Sequence, residues 1–528
     1  MERVKRPAGR APASRPRPGA KSPRKESDEP ARRPPAGPAR ARPERTAGSR
    51  PERTAGSRPE RTAGSRPERT AGSRPERPAR PPLTLDDDER PRGRDRFLSG
   101  PHGVRHRTFD SPSFDDFAFD PYDDATNRPG PERRAFSTWE GPVFTGGERM
   151  FEAPLRALFA LDADWNRALT HGFHPYAARL PPSLVRQAVA TWSKPGHTIL
   201  DPFCGSGTVL VEAFAQGRKA LGSDASPLAV AISETRTTLL SKEERGLLLT
   251  VGTRLAEESE DRARRRVKLP AISAWARREH AQFFPHVFLE LYGLRALVFA
   301  YDGPAAVVRA LRLCLSSMLT KFMRTGLTAP RDGQDKRIGR GVPSSFYGRR
   351  VQELVRQLGA LADAVPPGTT PPVVRQGDAR DVRGVRKGSV NLVLTSPPYA
   401  GVYDYGAIHA SRFAWLGLDP RPLLAKQVGA RSHGLGAAPG PWREGRRAWL
   451  SQMATALAPG GSALLIVGDG VVAEQPENAQ AAIWAEAPAV GLRPVAWASQ
   501  DRPSHDKRVR DIFGRSPRRE HVLFLERA

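Results

Sequence analysis

The sequence predicts an α/β fold in which an open, doubly wound parallel sheet of the Rossmann type carries helices on both faces. A short apolar strand, a glycine-rich loop, a helix and a second strand follow one another between His197 and Ser226. Three more strand patterns follow residue 370, and a pair of strands ends the chain, the last of which we expect to be antiparallel. In chain order, the segments that predict these strands are HTILDPF, KALGSDAS, PVVRQGD, VNLVLT, SALLIVGDG, RPVAWAS and HVLFLER.

The N-terminal part of the chain predicts disorder and a strong positive charge. The formal net charge is +27, and the octapeptide RPERTAGS recurs from Arg42, Arg50, Arg58 and Arg66. This repeat offers no residue able to build a core, so we interpret residues 1–95 as a disordered basic tail. A tandem duplication without function is favoured over a cationic arm that raises DNA affinity through phosphate contacts.

The rest of the chain divides by composition and hydrophobic pattern. Residues 96–148 form an acidic and aromatic linker, which either docks on the basic body or stays loose. Residues 149–234 begin the α/β domain, with one helix predicted over MFEAPLRALFALDADWNRAL. Residues 235–370 predict a helical insertion, which is either a target-recognition region or a structural cover. Residues 371–528 complete the α/β domain.

Composition excludes several classes of protein. The two cysteines, Cys204 and Cys314, cannot build a disulfide scaffold or a zinc cluster, so we predict no metal and a cytoplasmic, nucleoid-associated protein. No apolar stretch reaches the ~18 residues of a membrane span, and the basic N-terminus lacks the apolar core of a secretory signal. The excess of basic residues favours nucleic acid as a partner.

The first chemical motif is ILDPFCGSGTVLVEA, from Ile199 to Ala213. Gly205 and Gly207 permit a tight turn and a close approach of the backbone to a ligand. We expect the helix to begin immediately after Thr208, so its free N–H groups face that ligand. A second strand ends in Asp224, the spacing at which a nucleotide-binding fold places its ribose ligand.

Two more strand ends carry candidate groups. Asp378, at the end of PVVRQGD, has a carboxylate able to accept from an adenine amino group, although a turn or a cap formed by Asp378 or Asp381 is the commoner role. In LTSPPY, Ser396 and the carbonyl of Pro397 can accept hydrogens from an exocyclic amine, and Pro398 stiffens the backbone. Tyr399 can stack on a base that has left the helix.

Together, DPFCGSGT, Asp224, Asp378 and TSPPY resemble the S-adenosylmethionine-dependent amino-methyltransferases of DNA, which act on cytosine N4 or adenine N6. The resemblance covers roughly residues 150–528 and includes HPYAARLPPSLV, which resembles the segment that helps to close the cofactor pocket. It implies a class I methyltransferase sheet. The chain departs from many relatives at Asn391, where they carry an acid.

The resemblance also implies roles for individual residues. Asp201, Pro202, Phe203 and the backbone from Cys204 to Gly207 would hold the methionine end of S-adenosylmethionine. Asp224 would take the ribose and Asp378 the adenine. Ser396, Pro397, Pro398 and Tyr399 would form the catalytic string, with the target base flipped out of double-stranded DNA. TSPPY is more typical of cytosine N4 than of adenine N6 methylation.

Several alternatives remain open at this point. An RNA base methyltransferase shares the glycine loop but more often carries Asp-Pro-Pro-Tyr or Asn-Pro-Pro-Tyr. A non-catalytic nucleic-acid-binding protein on the same fold is disfavoured by the intact Asp201, Asp224 and Ser396. Cytosine C5 chemistry needs a nucleophilic cysteine, and both cysteines fit packing roles better. We expect a monomer; a cognate restriction enzyme would place the protein in a restriction-modification pair, which the sequence leaves open.

A basic loop in the insertion supplies the predicted contacts to nucleic acid. Arg331, Lys336, Arg337 and Arg340 are candidates for phosphate contacts, with a solvated loop as an equal alternative. His174 and His409 are candidate base contacts, but lone histidines are more often structural.

Overall fold

The computed structural model describes residues 141–160, 164–269, 271–324, 338–427, 439–502 and 507–528. Its main feature is an eight-stranded sheet in the order β1-β9-β10-β6-β5-β2-β3-β4. The bounds of the strands in this sheet are β1 Val143–Gly147, β2 Thr198–Asp201, β3 Lys219–Asp224, β4 Val373–Gln376, β5 Val390–Thr395, β6 Leu457–Gly468, β9 Leu492–Arg502 and β10 Arg518–Arg527. Strands β7 Gly470–Val472 and β8 Gln475–Glu477 form a separate hairpin.

Strands β4, β3, β2, β5 and β6 are parallel, and β10 is antiparallel to both β6 and β9. The strand order reverses between β2 and β5, which is where ligands bind in doubly wound sheets. This arrangement confirms the predicted Rossmann-like methyltransferase fold with its antiparallel terminal strand. All five parallel strands have their carboxyl ends at one edge, and that edge carries the candidate site.

Helices cover both faces of the sheet. Those that flank the glycine-loop half are α1 Glu152–Ala157, α2 Pro182–Trp192, α3 Thr208–Ala215 and α4 Pro227–Thr237. Those that follow β5 are α10 Tyr405–Ile408, α11 Ala410–Leu416, α12 Arg421–Lys426, α13 Pro439–Ala456, α14 Ala479–Glu486 and α15 Lys507–Phe513. Local signals explain several starts: Pro182 and Pro227 stand at first helical positions, and Ser226 caps α4 by accepting from Ala229 N.

Within the described residues, five helices follow α4 and precede β4, in the region where the sequence predicts a helical insertion. They are α5 Lys242–Arg264, α6 Ala274–His280, α7 Pro285–Ala300, α8 Ala305–Phe322 and α9 Val342–Ala364. Their apolar faces share one core with α11, in which Trp415 contacts Trp275, Phe283 and Phe288. The insertion therefore supports the chain that follows the TSPPY string.

Two local predictions were wrong. The single helix predicted from Met150 is short, since α1 spans six residues between 3-10 turns at Arg149–Phe151 and Asp164–Arg167. Leu155 and Leu158 bury against the sheet over this short length, so a long helix is not needed to cover it. The end of the predicted linker also forms structure, because Val143–Gly147 pairs with β9 as an edge strand.

Candidate active site

The glycine loop lies between β2 and α3, and its two glycines have positive φ angles. Gly205 has a φ of 49° and Gly207 a φ of 81°, conformations that favour glycine. A Cβ on Gly207 would stand 2.8 Å from the hydroxyl oxygen of Ser233 in α4. That same Ser233 hydroxyl donates to the carbonyl of Gly205 at 2.8 Å. Helix α4 thus supports the loop, and Gly207 lies on the side of the loop that contacts α4.

Asp201 connects the loop to the catalytic string. Its Oδ1 atom accepts from the Thr395 hydroxyl at 2.6 Å and from the backbone N–H of Phe203 at 3.2 Å. Burial raises the pKa of Asp201 to about 7, against the opposing effect of these two hydrogen bonds. Since Thr395 immediately precedes Ser396, this bond fixes the ends of β2 and β5 relative to each other.

Asp224 closes the loop from the next strand. Its Oδ2 accepts from Gly205 N at 2.9 Å, and its Oδ1 accepts from Ser226 N at 2.8 Å. Burial raises its pKa to about 6, and these two backbone hydrogen bonds oppose the rise. Each oxygen of an ionised carboxylate has a second lone pair, so Asp224 can still accept from two hydroxyl groups of a ligand.

Asp378 lies in a different electrostatic setting. Arg380 donates to Oδ1 through its backbone N–H at 2.9 Å and through Nε at 3.0 Å, and to Oδ2 through Nη2 at 2.8 Å. Burial acts to raise the pKa of Asp378, but the hydrogen bonds and charge of Arg380 outweigh it and lower the pKa. The remaining lone pair on Oδ2 is the acceptor that a ligand amino group can reach. Asp381 pairs with Arg383 at the surface.

The TSPPY string follows β5 directly. Ser396 and Pro398 line the same cleft as the glycine loop, while Pro397 is buried. The ring of Tyr399 packs over Gly468 at the end of β6, where a Cβ would stand 2.6 Å from it. Burial, followed by the charge of Glu520, raises the pKa of Tyr399 well above its ordinary value, so the phenol stays protonated.

A chain of aromatic rings runs from Tyr399 toward the cofactor loop. The centroids of Tyr399 and Tyr403 lie 6.3 Å apart, those of Tyr403 and Tyr405 5.7 Å, and those of Tyr405 and Tyr176 6.2 Å. Tyr176 also stacks on His409 at 4.7 Å. These rings form one wall beside the catalytic string, and two of them, Tyr176 and Tyr405, line the cleft.

The two histidines considered as base contacts are buried. His174 donates through Nδ1 to the Pro175 carbonyl at 3.0 Å, which leaves Nε2 to accept from the Ser316 hydroxyl at 3.0 Å. Burial, with a smaller effect of Arg412, lowers the pKa of His409 to about 3. Both imidazoles are therefore neutral packing partners in this structure.

A buried polar network supports the loop from the side of α3. Arg236, which is fully buried, donates to the carbonyl of Ser206 and to the carbonyl of Thr170 at 3.0 Å. It also donates to Nδ1 of His171 at 2.6 Å, so Nε2 of His171 donates to Glu212 at 2.7 Å. Burial raises the pKa of Glu212 to about 7. In this network, His171 links the buried guanidinium of Arg236 to the carboxyl group of Glu212.

Most predicted cofactor residues line one cleft at the carboxyl edge of the sheet. They are Asp201, Pro202, Phe203, Cys204, Gly205, Asp224 and Asp378. Sequence reasoning gave no role to three other lining residues, Leu423, Lys426 and Gln427 of α12 and its end. Tyr176, which also lines the cleft, belongs to the HPYAARLPP segment noted in the sequence, whereas no sequence pattern marks Gln427.

Gln427 has a buried, unpartnered side-chain atom, a feature that it shares with Thr208 among the lining residues. The Nε2 atom of Gln427 and the Oγ1 atom of Thr208 are buried and have no hydrogen-bond partner within the described residues. An unpaired buried donor costs about 1–3 kcal/mol, so such a group calls for a partner beyond the described residues.

The predicted contacts to nucleic acid are only partly described. Arg331, Lys336 and Arg337 lie outside the described residues. Arg340 is exposed just before the start of α9. Within the described part of the chain, no cluster of three or more potential metal-ligating side chains occurs, and no helix has the length and apolar character needed to cross a membrane.

The two cysteine thiols are unsuited to nucleophilic attack. Cys204 is buried behind the loop, with its sulfur 3.9 Å from the Ser233 hydroxyl, and burial raises its pKa well above the ordinary value. Burial raises the pKa of Cys314 to about 12. Neither residue supplies the thiolate that cytosine C5 methylation requires.

The strand order, the glycine loop and the acids at successive strand ends fit the fold of class I methyltransferases. Residues 139–235 match the model of the N6/N4 DNA methylase family, and this match confirms the predicted resemblance to that family. The matched segment contains the glycine loop and Asp224.

Two curated relatives are similar over a short stretch. The type II methyltransferase M.MjaII of Methanocaldococcus jannaschii is 39% identical over 66 residues, which is 12% of each chain. The type II methyltransferase M.MvaI of Kocuria varians is 39% identical over 75 residues, 14% of this chain and 16% of the relative. The chain thus matches less than a fifth of the length of these relatives.

Solved structures align with most of this chain, but their sequence identities and TM-scores are low. The rRNA methyltransferase aviRa from Streptomyces viridochromogenes is 13% identical with a TM-score of 0.30, and covers 70% of this chain and 96% of its own. A TehB-like SAM-dependent methyltransferase from Corynebacterium glutamicum is 11% identical with a TM-score of 0.25, and covers 65% and 87%.

S-adenosylmethionine is the cofactor that the family and the fold imply, as predicted from the sequence. The residues of the cleft fit it chemically. Buried carboxylates suit a cofactor with a sulfonium and an ammonium group, Asp224 retains acceptors for hydroxyls, and the unpaired amide of Gln427 offers a donor.

Proposed function

We propose that the protein transfers a methyl group from S-adenosylmethionine to the exocyclic amino group of a base flipped out of double-stranded DNA, with cytosine N4 favoured over adenine N6. The observation that carries this proposal is the position of Ser396, which lines the cleft together with Asp201 and the glycine loop. An acceptor for an amine hydrogen therefore stands beside the place where the cofactor fits.

The chain's own groups would prepare the amine for transfer. The Ser396 hydroxyl and the Pro397 carbonyl accept the two amino hydrogens, which draws the nitrogen lone pair out of conjugation with the ring. The prolines fix that carbonyl because their φ angles are restricted. The bound cofactor supplies an electrophilic methyl group, so orientation provides most of the rate enhancement and no covalent enzyme intermediate is needed.

The cofactor side would hold its ligand through charge and backbone donors. Asp201 and the start of α3 face the methionine end, Asp224 takes the ribose hydroxyls and Asp378 accepts from the adenine amino group. The Thr395–Asp201 hydrogen bond of 2.6 Å links this side to Ser396. Binding of the cofactor therefore acts on the same strand end that carries the catalytic serine.

Cytosine is favoured because serine, rather than an acid, precedes the two prolines. A neutral hydroxyl accepts one amine hydrogen without adding a negative charge beside the base. The buried, protonated tyrosines beside it offer faces for stacking on either base. Identification of the product decides between cytosine and adenine.

The test is methyl transfer from radiolabelled S-adenosylmethionine, with duplex DNA and total RNA as separate acceptors. The labelled nucleoside is then identified by chromatography against N4-methylcytosine and N6-methyladenine. We expect label in DNA as N4-methylcytosine. Label in RNA alone would contradict the DNA assignment, and cofactor binding without transfer to either acceptor would favour a binding role for the fold.

A further inference from the structure

The connection between β9 and β10 brings a basic segment to the edge of the sheet that carries the catalytic string. Strand β9 ends at Arg502 and β10 begins at Arg518, and these two residues pair across the strands. Two residues later, Glu520 pairs with Gly468 at the end of β6. The helix α15, which lies in this connection, is therefore anchored at the carboxyl edge, as Ser396 is.

The apolar side of α15 is buried, and its charged side is not. Val509 and Phe513 pack with Val471 of the β7–β8 hairpin. Arg510, between them in sequence, is exposed, as is Arg515 just after the helix. Packing on the hairpin thus fixes the orientation of α15, with Arg510 on its exposed side.

The segment also touches the aromatic wall of the site. The Arg518 guanidinium lies 6.0 Å from the ring centroid of Tyr399, and its Nε donates to the carbonyl of Asp469 at 2.8 Å. Arg519 is paired with Asp501 at 2.8 Å. From Lys507 to Arg519 the chain has six basic residues and one acidic residue, so this segment has a net positive charge.

We propose that the connection between β9 and β10, through Arg510 and Arg515, binds the phosphate backbone of duplex DNA next to the flipped base. This proposal rests on the proposed function, because the position beside Tyr399 matters only if a base enters there. Arginine in an exposed, oriented array suits phosphate oxygens, and such contacts fix the register of the duplex without reading its sequence. The surface differs from the loop of residues 331–340 predicted from the sequence.

The experiment compares two charge-reversal pairs by fluorescence anisotropy of a labelled duplex oligonucleotide over a range of salt concentrations, with S-adenosylhomocysteine present. The test pair is Arg510→Glu with Arg515→Glu. The control pair is Arg386→Glu with Lys387→Glu, exposed residues just before β5 and so at the opposite edge of the sheet. Both pairs change the net charge by the same amount, so a difference between them reports position.

We expect the test pair to weaken DNA binding at least tenfold and to reduce the slope of log K against log salt by about 1.8, at roughly 0.9 for each lost phosphate contact. The control pair should leave that slope close to the wild-type value. Equal losses for both pairs, or unchanged binding of the test pair, would overturn the proposal.

The outcome is separable from that of the proposed function. If the wild-type protein methylates DNA while the test pair binds duplex as tightly as wild type, the surface assignment fails and the methyl-transfer assignment stands. If the wild-type protein labels no DNA, the proposed function fails, and with it the assignment of this surface to duplex DNA. Thermal unfolding of each pair, together with titration by S-adenosylhomocysteine, verifies that the fold and the cleft are intact.

Discussion

The two sides of the cleft are built in different ways. On the cofactor side, short segments supply buried carboxylates whose oxygens are held by backbone N–H groups, as in the bonds from Gly205 and Ser226 to Asp224. On the target side, aromatic rings from two distant segments, Tyr176 and Tyr399 to Tyr405, contact one another beside the catalytic string. The first side is suited to one fixed ligand, and the second presents flat surfaces that many bases can contact.

The largest expected effect comes from the target side. Ser396→Ala should lower the rate of methyl transfer by about 10²–10³-fold, as for loss of one preorganised hydrogen-bonding group, because one amine hydrogen loses its acceptor. Affinity for S-adenosylhomocysteine, measured by calorimetry, should remain within a few-fold of wild type. Ser389→Ala, just before the same strand, is the matched control, and transfer by Ser396→Ala at the rate of this control would contradict the role of Ser396.

On the cofactor side, a substitution should lower the affinity for the cofactor product. Asp224→Asn removes a charged acceptor, and hydrogen bonds to charged groups contribute about 1.5–3 kcal/mol, so affinity for S-adenosylhomocysteine should fall about 10–100-fold. The loss should appear in calorimetry without any DNA present. A variant with normal cofactor affinity and reduced transfer would show that Asp224 belongs to the target side.

The raised carboxylate pKa values predict how pH acts on the cofactor side. Burial raises the pKa of Asp201 to about 7 and of Asp224 to about 6. The unfolded chain loses these protons at about pH 4, so the contribution of these two carboxyls to the free energy of unfolding of the cofactor-free protein should be highest below that pH and fall as pH rises to 7.

Cofactor affinity should follow the reverse course. A cationic cofactor favours the ionised carboxylates, so affinity for S-adenosylmethionine should weaken up to about tenfold between pH 8 and pH 6. S-adenosylhomocysteine, which lacks the sulfonium charge, should weaken less. Calorimetry in buffers of different ionisation enthalpy should detect release of protons on binding, and an identical pH dependence for both ligands would contradict the electrostatic explanation.

The smallest expected effect tests the amide of Gln427. Gln427→Leu should weaken S-adenosylhomocysteine binding about fivefold, since a net hydrogen bond is worth about 1 kcal/mol. The melting temperature of the cofactor-free variant should not fall, because the amide nitrogen has no partner within the described residues. Gln216→Leu, at the far end of α3, is the control; a fall in stability without a change in affinity would show that Gln427 has only a packing role.

The sequence predicted which residues come together around the glycine loop, because they lie in contiguous motifs. DPFCGSGT contains the loop, and the strand ends place Asp201 and Asp224 beside it. The roles predicted for individual residues stay predictions until the variants are measured. Edge strand β1 was missed, since five residues with two adjacent glycines do not show the alternation of a typical strand.

The target side was less predictable, because it depends on contacts between residues far apart in the chain. The packing of Tyr399 on Gly468 requires the close approach of β5 and β6, which no local pattern shows. Gln427 follows α12, and Arg518 begins β10. Both residues reach the site only because the fold places these two elements there. The surrounding sequence gives them no distinguishing spacing.

The buried network behind the glycine loop also gives the protein an optical property. Trp165 donates its indole N–H to Glu212 at 2.7 Å, and Glu212 is joined through His171 and Arg236 to the carbonyl of Ser206 in the loop. Indole emission responds to the charge of a hydrogen-bonded neighbour, so protonation of Glu212 or displacement of the loop should change the fluorescence of this one residue. With nine tryptophans in the chain, subtraction of the Trp165→Phe spectrum isolates a signal that follows ligand arrival without an added dye.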